Sequence, residues 1–220
     1  MNSAVLQWNR IDVVLLDMDG TLLDLKFDND FWLQAVPGAY ASRHDLTYEQ
    51  ACQVLFPKMR ALRGTLDWYC IEFWSEELGL DIAALKRDRK HLISLREGAT
   101  RFLSAVRQSG RRQLLVTNAH EVTLDIKMEV TGIGHLFDEL ITSHQFNAPK
   151  EQDAFWQRLS QHAELDLSRC LFIDDSLSVI EAARRCGVGQ VLSVAKPDSS
   201  RAENEHDGYH MLDSWDDVMP

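Results

Sequence analysis

The chain is 220 residues long, 45% hydrophobic and 26% charged, with a formal net charge of −11 at pH 7. That length suits one domain with a sizeable insertion and buries a full core without staples. The acidic balance argues against a nucleic-acid groove, which needs a continuous positive field, but not against a small phosphorylated ligand held by a metal and a few placed cations. No run approaches about 18 apolar residues and no basic n-region leads a long apolar stretch, so neither a membrane span nor a secretion signal is expected. The four cysteines lack CxxC spacing and read as reduced core thiols, which makes the cytoplasm the expected setting.

In chain order, residues 11–16 form a compact, β-branched apolar run leading into Asp17-Met18-Asp19-Gly20-Thr21, the profile of a buried parallel strand ending in a turn. Residues 113–116, 139–142 and 170–173 repeat the profile, ending in Thr117-Asn118, Ser143-His144 and Asp174-Asp175, and residues 191–194 make a fifth strand. Helical patterns at 98–109, 151–163 and 176–186 lie between them, the last stopping at Gly187. This alternation predicts an α/β fold with a Rossmann-like parallel sheet built from right-handed βαβ units. Residues 27–95 break the rhythm with helical patterns only, at 30–36, 47–62, 66–78 and 81–92, and Thr47 with Gln50 has the spacing of a capping box. The expected organisation is a core of residues 1–26 and 94–220 with an all-helical insertion at 27–93. Residues 196–210 read as a loop before a short amphipathic end around Leu212, Trp215 and Val218.

Ligands of an open parallel sheet bind beyond the carboxyl ends of its strands. The expected strand ends carry Asp17, Asp19, Thr21, Thr117, Asn118, Asp174 and Asp175, with Lys150 just before a helix. Four crowded carboxylates repel unless a divalent cation sits among them, and magnesium, an oxygen-seeking ion that favours one or two carboxylates plus phosphate, suits the set. Residues two apart on an extended segment face the same way, so Asp17 and Asp19 can address one phosphorus centre, one attacking and one holding the proton for the leaving oxygen. Thr21, Thr117, Asn118 and Lys150 supply donors for phosphoryl oxygens.

Asp17-Met18-Asp19-Gly20-Thr21, Thr117-Asn118, Pro149-Lys150 and Asp174-Asp175 resemble, in order, the four signatures of the haloacid dehalogenase-like superfamily. The resemblance implies that Asp17 is a nucleophile forming an aspartyl-phosphate and Asp19 the general acid/base. It implies that Thr117 and Lys150 bind the phosphoryl group. Mg2+ would be held by Asp17, the backbone carbonyl of Asp19, and Asp175 or Asp174. Many relatives carry a further Asp four residues beyond the fourth-signature ligand, whereas this chain has Val179. Asp at position 19 points within the superfamily to phosphatases and phosphomutases. The helical insertion resembles the cap that closes over such sites, with hinges near residues 22–26 and 94–97.

The extension Leu22–Asn29, the string Trp68-Tyr69-Cys70 through Trp74-Ser75-Glu76, and the Pro149-Lys150-Glu151 element resemble the bacterial GMP/IMP nucleotidases. That implies hydrolysis of purine nucleoside monophosphates, with a phosphosugar phosphatase or phosphomutase of the same superfamily as the alternative. The aromatic segment 66–74 reads either as the core of a small cap or as a source of one ring for stacking on a planar base, with Tyr69 and Phe73 one turn apart on a single helix. His120, Lys26 and Arg96 are further candidates for substrate or phosphate contact. Lys127 and the basic run 86–91 read as solvated helix faces.

Overall fold

A computed structural model describes residues 6–220. Six parallel strands form one sheet in the order β3-β2-β1-β4-β5-β6: β1 Val13–Leu16, β2 Arg112–Thr117, β3 Glu139–Thr142, β4 Cys170–Asp174, β5 Gln190–Val194 and β6 His210–Leu212. The α/β parallel-sheet expectation is met, with one strand more than the sequence suggested. β6 is only three residues long and ends the segment read as a loop; its partner is β5, with Val194 opposite Leu212. So short a strand carries too little periodicity to be read locally, and its pairing alone makes it one.

β1 is flanked by β2 and β4, with Leu16 level with both Leu115 and Ile173. The chain leaves β1 toward β2 on one side and later returns to β4 on the other, so the strand order reverses beside β1. Alternation assigns the two faces. Val14, Leu16, Leu115, Leu171 and Ile173 pack with the helices Ala99–Gln108 and Glu121–Thr131, whereas Val13, Leu15, Leu114, Val116 and Phe172 pack with Asp153–His162 and Leu177–Arg185.

Residues between β1 and β2 are helical, as expected. α1 (Lys26–Asp30) runs through one π-helical stretch (Phe31–Ala35) into α2 (Val36–Arg43), and α3 (Tyr48–Leu62), α4 (Leu66–Tyr69), α5 (Ile71–Leu78) and α6 (Ile82–Asp88) follow. Thr47 and Gln50 form the full reciprocal capping box of α3. These helices bury a cluster of their own around Phe31, Leu55, Ile71, Trp74 and Ile82, separate from the two cores on the sheet. The segments that enter and leave them run side by side: Leu23 bridges Leu95, and the Asp24 and Arg96 N–H groups donate to Ser94 and Leu22.

The sequence suggested one helix over 66–78; the chain instead breaks at Cys70, whose φ of −81° and ψ of 118° are extended. The break turns Tyr69 away from Phe73, so the two do not share a face. Phe73 stays with the helical cluster, edge-on to Trp74, while Tyr69 reaches the sheet edge. Beyond the insertion come α7 (Ala99–Gln108), α8 (Glu121–Thr131), α9 (Asp153–His162) and α10 (Leu177–Arg185). All four cysteines are free thiols, though only Cys170 is fully buried. No helix among the described residues is long and apolar enough to cross a membrane.

Candidate active site

Asp17 follows β1 directly, its N–H donating to Ile173 O at 3.0 Å, and this register sets it beside Asp174 at the end of β4. Lys150 closes the group from the turn before α9. Its ammonium donates to Asp17 Oδ1 at 2.5 Å, Asp174 Oδ2 at 2.7 Å and Val116 O at 3.0 Å, which uses all three of its protons. The Lys150 side chain is 2% exposed, and despite the cost of its burial the two carboxylates hold its pKa above the ordinary lysine value.

Asp174 is consumed by structure: Lys150 takes one oxygen and the Ser176 N–H donates to the other at 2.8 Å. Asp175 makes no salt bridge with any described residue, and burial together with the charges of Asp174 and Asp17 pushes its carboxyl well above the usual range. Burial, then the nearby Asp174, raises Asp17 to about 7 against the opposing pull of Lys150. Carboxylate oxygens of Asp17, Asp174 and Asp175 come within 4.8 Å of one another. An all-oxygen set with one anion unpaired fits a hard divalent cation such as Mg2+. Gly20, at φ 85°, lets the backbone pass close to this group, where a Cβ would lie 2.6 Å from the Asp175 carboxyl carbon.

Asp19 is held by a different lysine. Lys127 of α8 donates to Asp19 Oδ1 at 2.5 Å and to Asp28 Oδ2 at 2.6 Å, and Lys86 of α6 donates to the other oxygen of Asp28 at 3.1 Å. Lys127 and Lys86 are 1% and 3% exposed, so the expectation that both were solvated is overturned. Their partners lie 58 to 108 positions away in sequence, which is why a local charge pattern misjudged them. One hint existed for Lys127, which shares its helical face with the buried Thr123 and Leu124. Burial and the charge of Asp28 raise Asp19 to about 6, with Lys127 opposing.

Thr117 ends β2 fully buried; its hydroxyl oxygen accepts from the Ala119 N–H, leaving its proton to donate. Thr21 is also buried, and its hydroxyl has no partner among the described residues. Asn118 is engaged within the protein: its Oδ1 accepts from the Lys150 N–H at 2.9 Å, and its Nδ2 donates to Glu151 Oε2 at 3.0 Å. Glu151 takes the Tyr69 hydroxyl on its other oxygen at 2.7 Å. A continuous path of hydrogen bonds thus runs from α4 to the backbone of Lys150. Lys26 pairs with Asp30, Arg96 with the Lys196 carbonyl, and Val179 lies in the sheet core. The carboxylates open into a cavity of about 1150 Å³, lined on the helical side by Trp32, Phe56, Trp68 and Tyr69.

Carboxylate-bearing strand ends at a topological switch point, beside a helical insertion, define a Rossmann-like core. The chain belongs to the haloacid dehalogenase-like hydrolase family, whose model matches residues 11–187. It is 39% identical over 213 residues to the GMP/IMP nucleotidase YrfG of Escherichia coli K12, covering 97% of this chain and 96% of that one. Its fold matches a HAD phosphatase from Thermococcus onnurineus with a TM-score of 0.77 at 21% identity, over 94% and 96% of the two chains. An L-2-haloacid dehalogenase from Xanthobacter autotrophicus follows with a TM-score of 0.63 at 17% identity, again over 94% and 96%.

Proposed function

We propose that this hydrolase is a magnesium-dependent phosphatase that works through an aspartyl-phosphate on Asp17, and that its substrate is a purine nucleoside 5′-monophosphate such as GMP or IMP. The observation that carries the chemistry is the pair Asp17 and Asp19, each on its own buried lysine at one strand end. Asp17 attacks phosphorus while the ester oxygen leaves with the proton of Asp19. Asp19 then takes a proton from water as that water attacks the aspartyl-phosphate, returning Asp17 and releasing phosphate. Lys150 aims the Asp17 carboxylate and neutralises phosphoryl oxygens, and the hydroxyl proton of Thr117 is free to donate to one. Mg2+ would be held by Asp17, the Asp19 carbonyl and Asp175, with Asp174 beside them holding Lys150, and it would offset phosphate charge there.

In this reading residues 27–93 act as a cap over a core of 1–26 and 94–220, and the paired segments at Leu23 and Leu95 are its hinge. Support for a nucleotide comes from the 39% identical nucleotidase and from Trp32 and Trp68 on the cavity wall, aromatic faces suited to a purine ring. The free thiols suit a reducing cytoplasm.

Phosphate release from a panel of 5′-nucleotides and sugar phosphates with Mg2+ tests the proposal. Purine monophosphates are expected to lead. Much faster turnover of sugar phosphates would overturn the nucleotide assignment, and a rearranged phosphosugar without net phosphate would indicate a mutase.

A further inference from the structure

A second cluster of metal-ligating side chains lies outside the carboxylate site, where the helical insertion meets the sheet. Cys70 is the N-cap of α5, Glu72 sits in the first turn of the same helix, and His120 is the N-cap of α8. One ligand atom from each falls within 4.8 Å of the others. The Glu72 carboxylate gathers the other two: His120 Nε2 lies 2.9 Å from Oε2, and the Cys70 thiol reaches the same oxygen at 3.6 Å. Beside them is a second imidazole. The His144 ring meets the His120 ring edge-on, with centroids 4.9 Å apart, and both its buried nitrogens lack a partner among the described residues. Two unpaired buried ring nitrogens beside another imidazole are costly as a purely structural arrangement.

We propose that Cys70, Glu72 and His120 form a zinc site that pins the helical insertion to the loop after β2. The donor set chooses the metal: a thiolate and an imidazole favour Zn2+, whereas the all-oxygen set around Asp17 favours Mg2+, so one chain sorts two cations by softness. Three protein ligands leave a fourth tetrahedral position for water, beside His144. Binding releases the Cys70 thiol proton to solvent. His120 coordinates through Nε2 with its own proton on Nδ1, giving up the contact from the Val122 N–H, which at 3.4 Å is a weak bond. His120 lies only two residues past Asn118. Zinc there joins α5 to the segment that positions Lys150, holds the insertion against the sheet and slows turnover by resisting its opening.

The test reads metal binding directly, so it stands apart from the phosphatase proposal. Full-length protein is stripped of metal, returned to excess Mg2+ and titrated with Co2+, whose thiolate charge-transfer band in the near ultraviolet reports a Co–S bond. Expected are one bound Co2+ with that band and a tetrahedral visible spectrum, displaced stoichiometrically by Zn2+. The band should vanish in Cys70→Ser and persist in Asp175→Asn. The exposed Glu72→Gln variant, chosen to leave the fold intact should Cys70→Ser misfold, should weaken binding about tenfold or more. Cobalt uptake without a thiolate band, a band unchanged in Cys70→Ser, or unaltered affinity in Glu72→Gln would each overturn the proposal.

Discussion

Replacing Lys127 with methionine keeps most of its length and removes only the charge that joins Asp19 to Asp28. Both carboxylates are bonded to this ammonium, which is 1% exposed, so solvent cannot take its place. Asp19 has an escape: its carboxyl is raised to about 6 even with Lys127 beside it, so protonating it at pH 7 without that lysine costs less than the roughly 1.4 kcal/mol of one pH unit. Asp28 has less room, because Lys127 and Lys86 together hold its carboxyl below the ordinary range against its own burial. It keeps Lys86 in the variant, so its loss falls short of a fully stranded charge, for which about 3–5 kcal/mol is usual. With Asp19 able to take a proton and Asp28 keeping Lys86, the loss is expected at the low end of that range, about 3 kcal/mol. At about 2–4 °C per kcal/mol for a chain of this size, Tm should fall by roughly 6–12 °C. Adding Asp28→Asn to Lys127→Met restores the charge balance but leaves Lys86 without its bonded carboxylate, so the double variant should lose less than the sum of the two single losses, and Asp28→Asn alone should destabilise. Thermal and urea unfolding of the four proteins closes the cycle. A Lys127→Met loss under about 1 kcal/mol, or simple additivity of the two substitutions, would refute the idea that these charges are held as one buried network.

Four further outcomes are expected. Asp17→Asn should abolish phosphate release yet leave a folded protein, since Lys150 keeps Asp174 and the Val116 carbonyl; circular dichroism and a phosphate assay check both halves. Asp175→Asn should raise the Mg2+ concentration needed for half-maximal activity while sparing Tm, whereas Asp174→Asn should lower Tm because Lys150 loses a buried partner. Tyr69→Phe removes the bond that ties α4 to Glu151, and at about 1.5–3 kcal/mol for a hydrogen bond to a charged group should lower kcat/KM by about 10- to 150-fold; an unchanged value would break the link between α4 and Lys150. Gly20→Ala should eliminate activity and destabilise, because a Cβ would collide with the Asp175 carboxylate and the backbone at φ 85° is strained for alanine, which unfolding curves and turnover would show.

What the sequence by itself determined is the sheet and the groups at its edge. The apolar run before Asp17 dictates a buried strand, alternation with helices dictates parallel neighbours, and parallel neighbours bring Asp17, Thr117 and Asp174 to one edge, because every strand end then points the same way. Local signals sufficed there, since strand periodicity and turn residues act within a few positions.

Tertiary structure decided what depends on distant partners. Asp174 and Asp175 look alike in sequence, and only the reach of Lys150 and the Ser176 N–H separates the carboxylate that is spent from the one left unpaired. Lys86 and Lys127 look like solvated lysines until Asp28 and Asp19 arrive from 58 and 108 positions away. β6 exists because β5 offers an edge, and the helix expected through Cys70 breaks where Tyr69 finds Glu151. A side chain's protonation, burial and pairing are set by the field of its neighbours in space, and that field is assembled only when segments far apart in sequence meet.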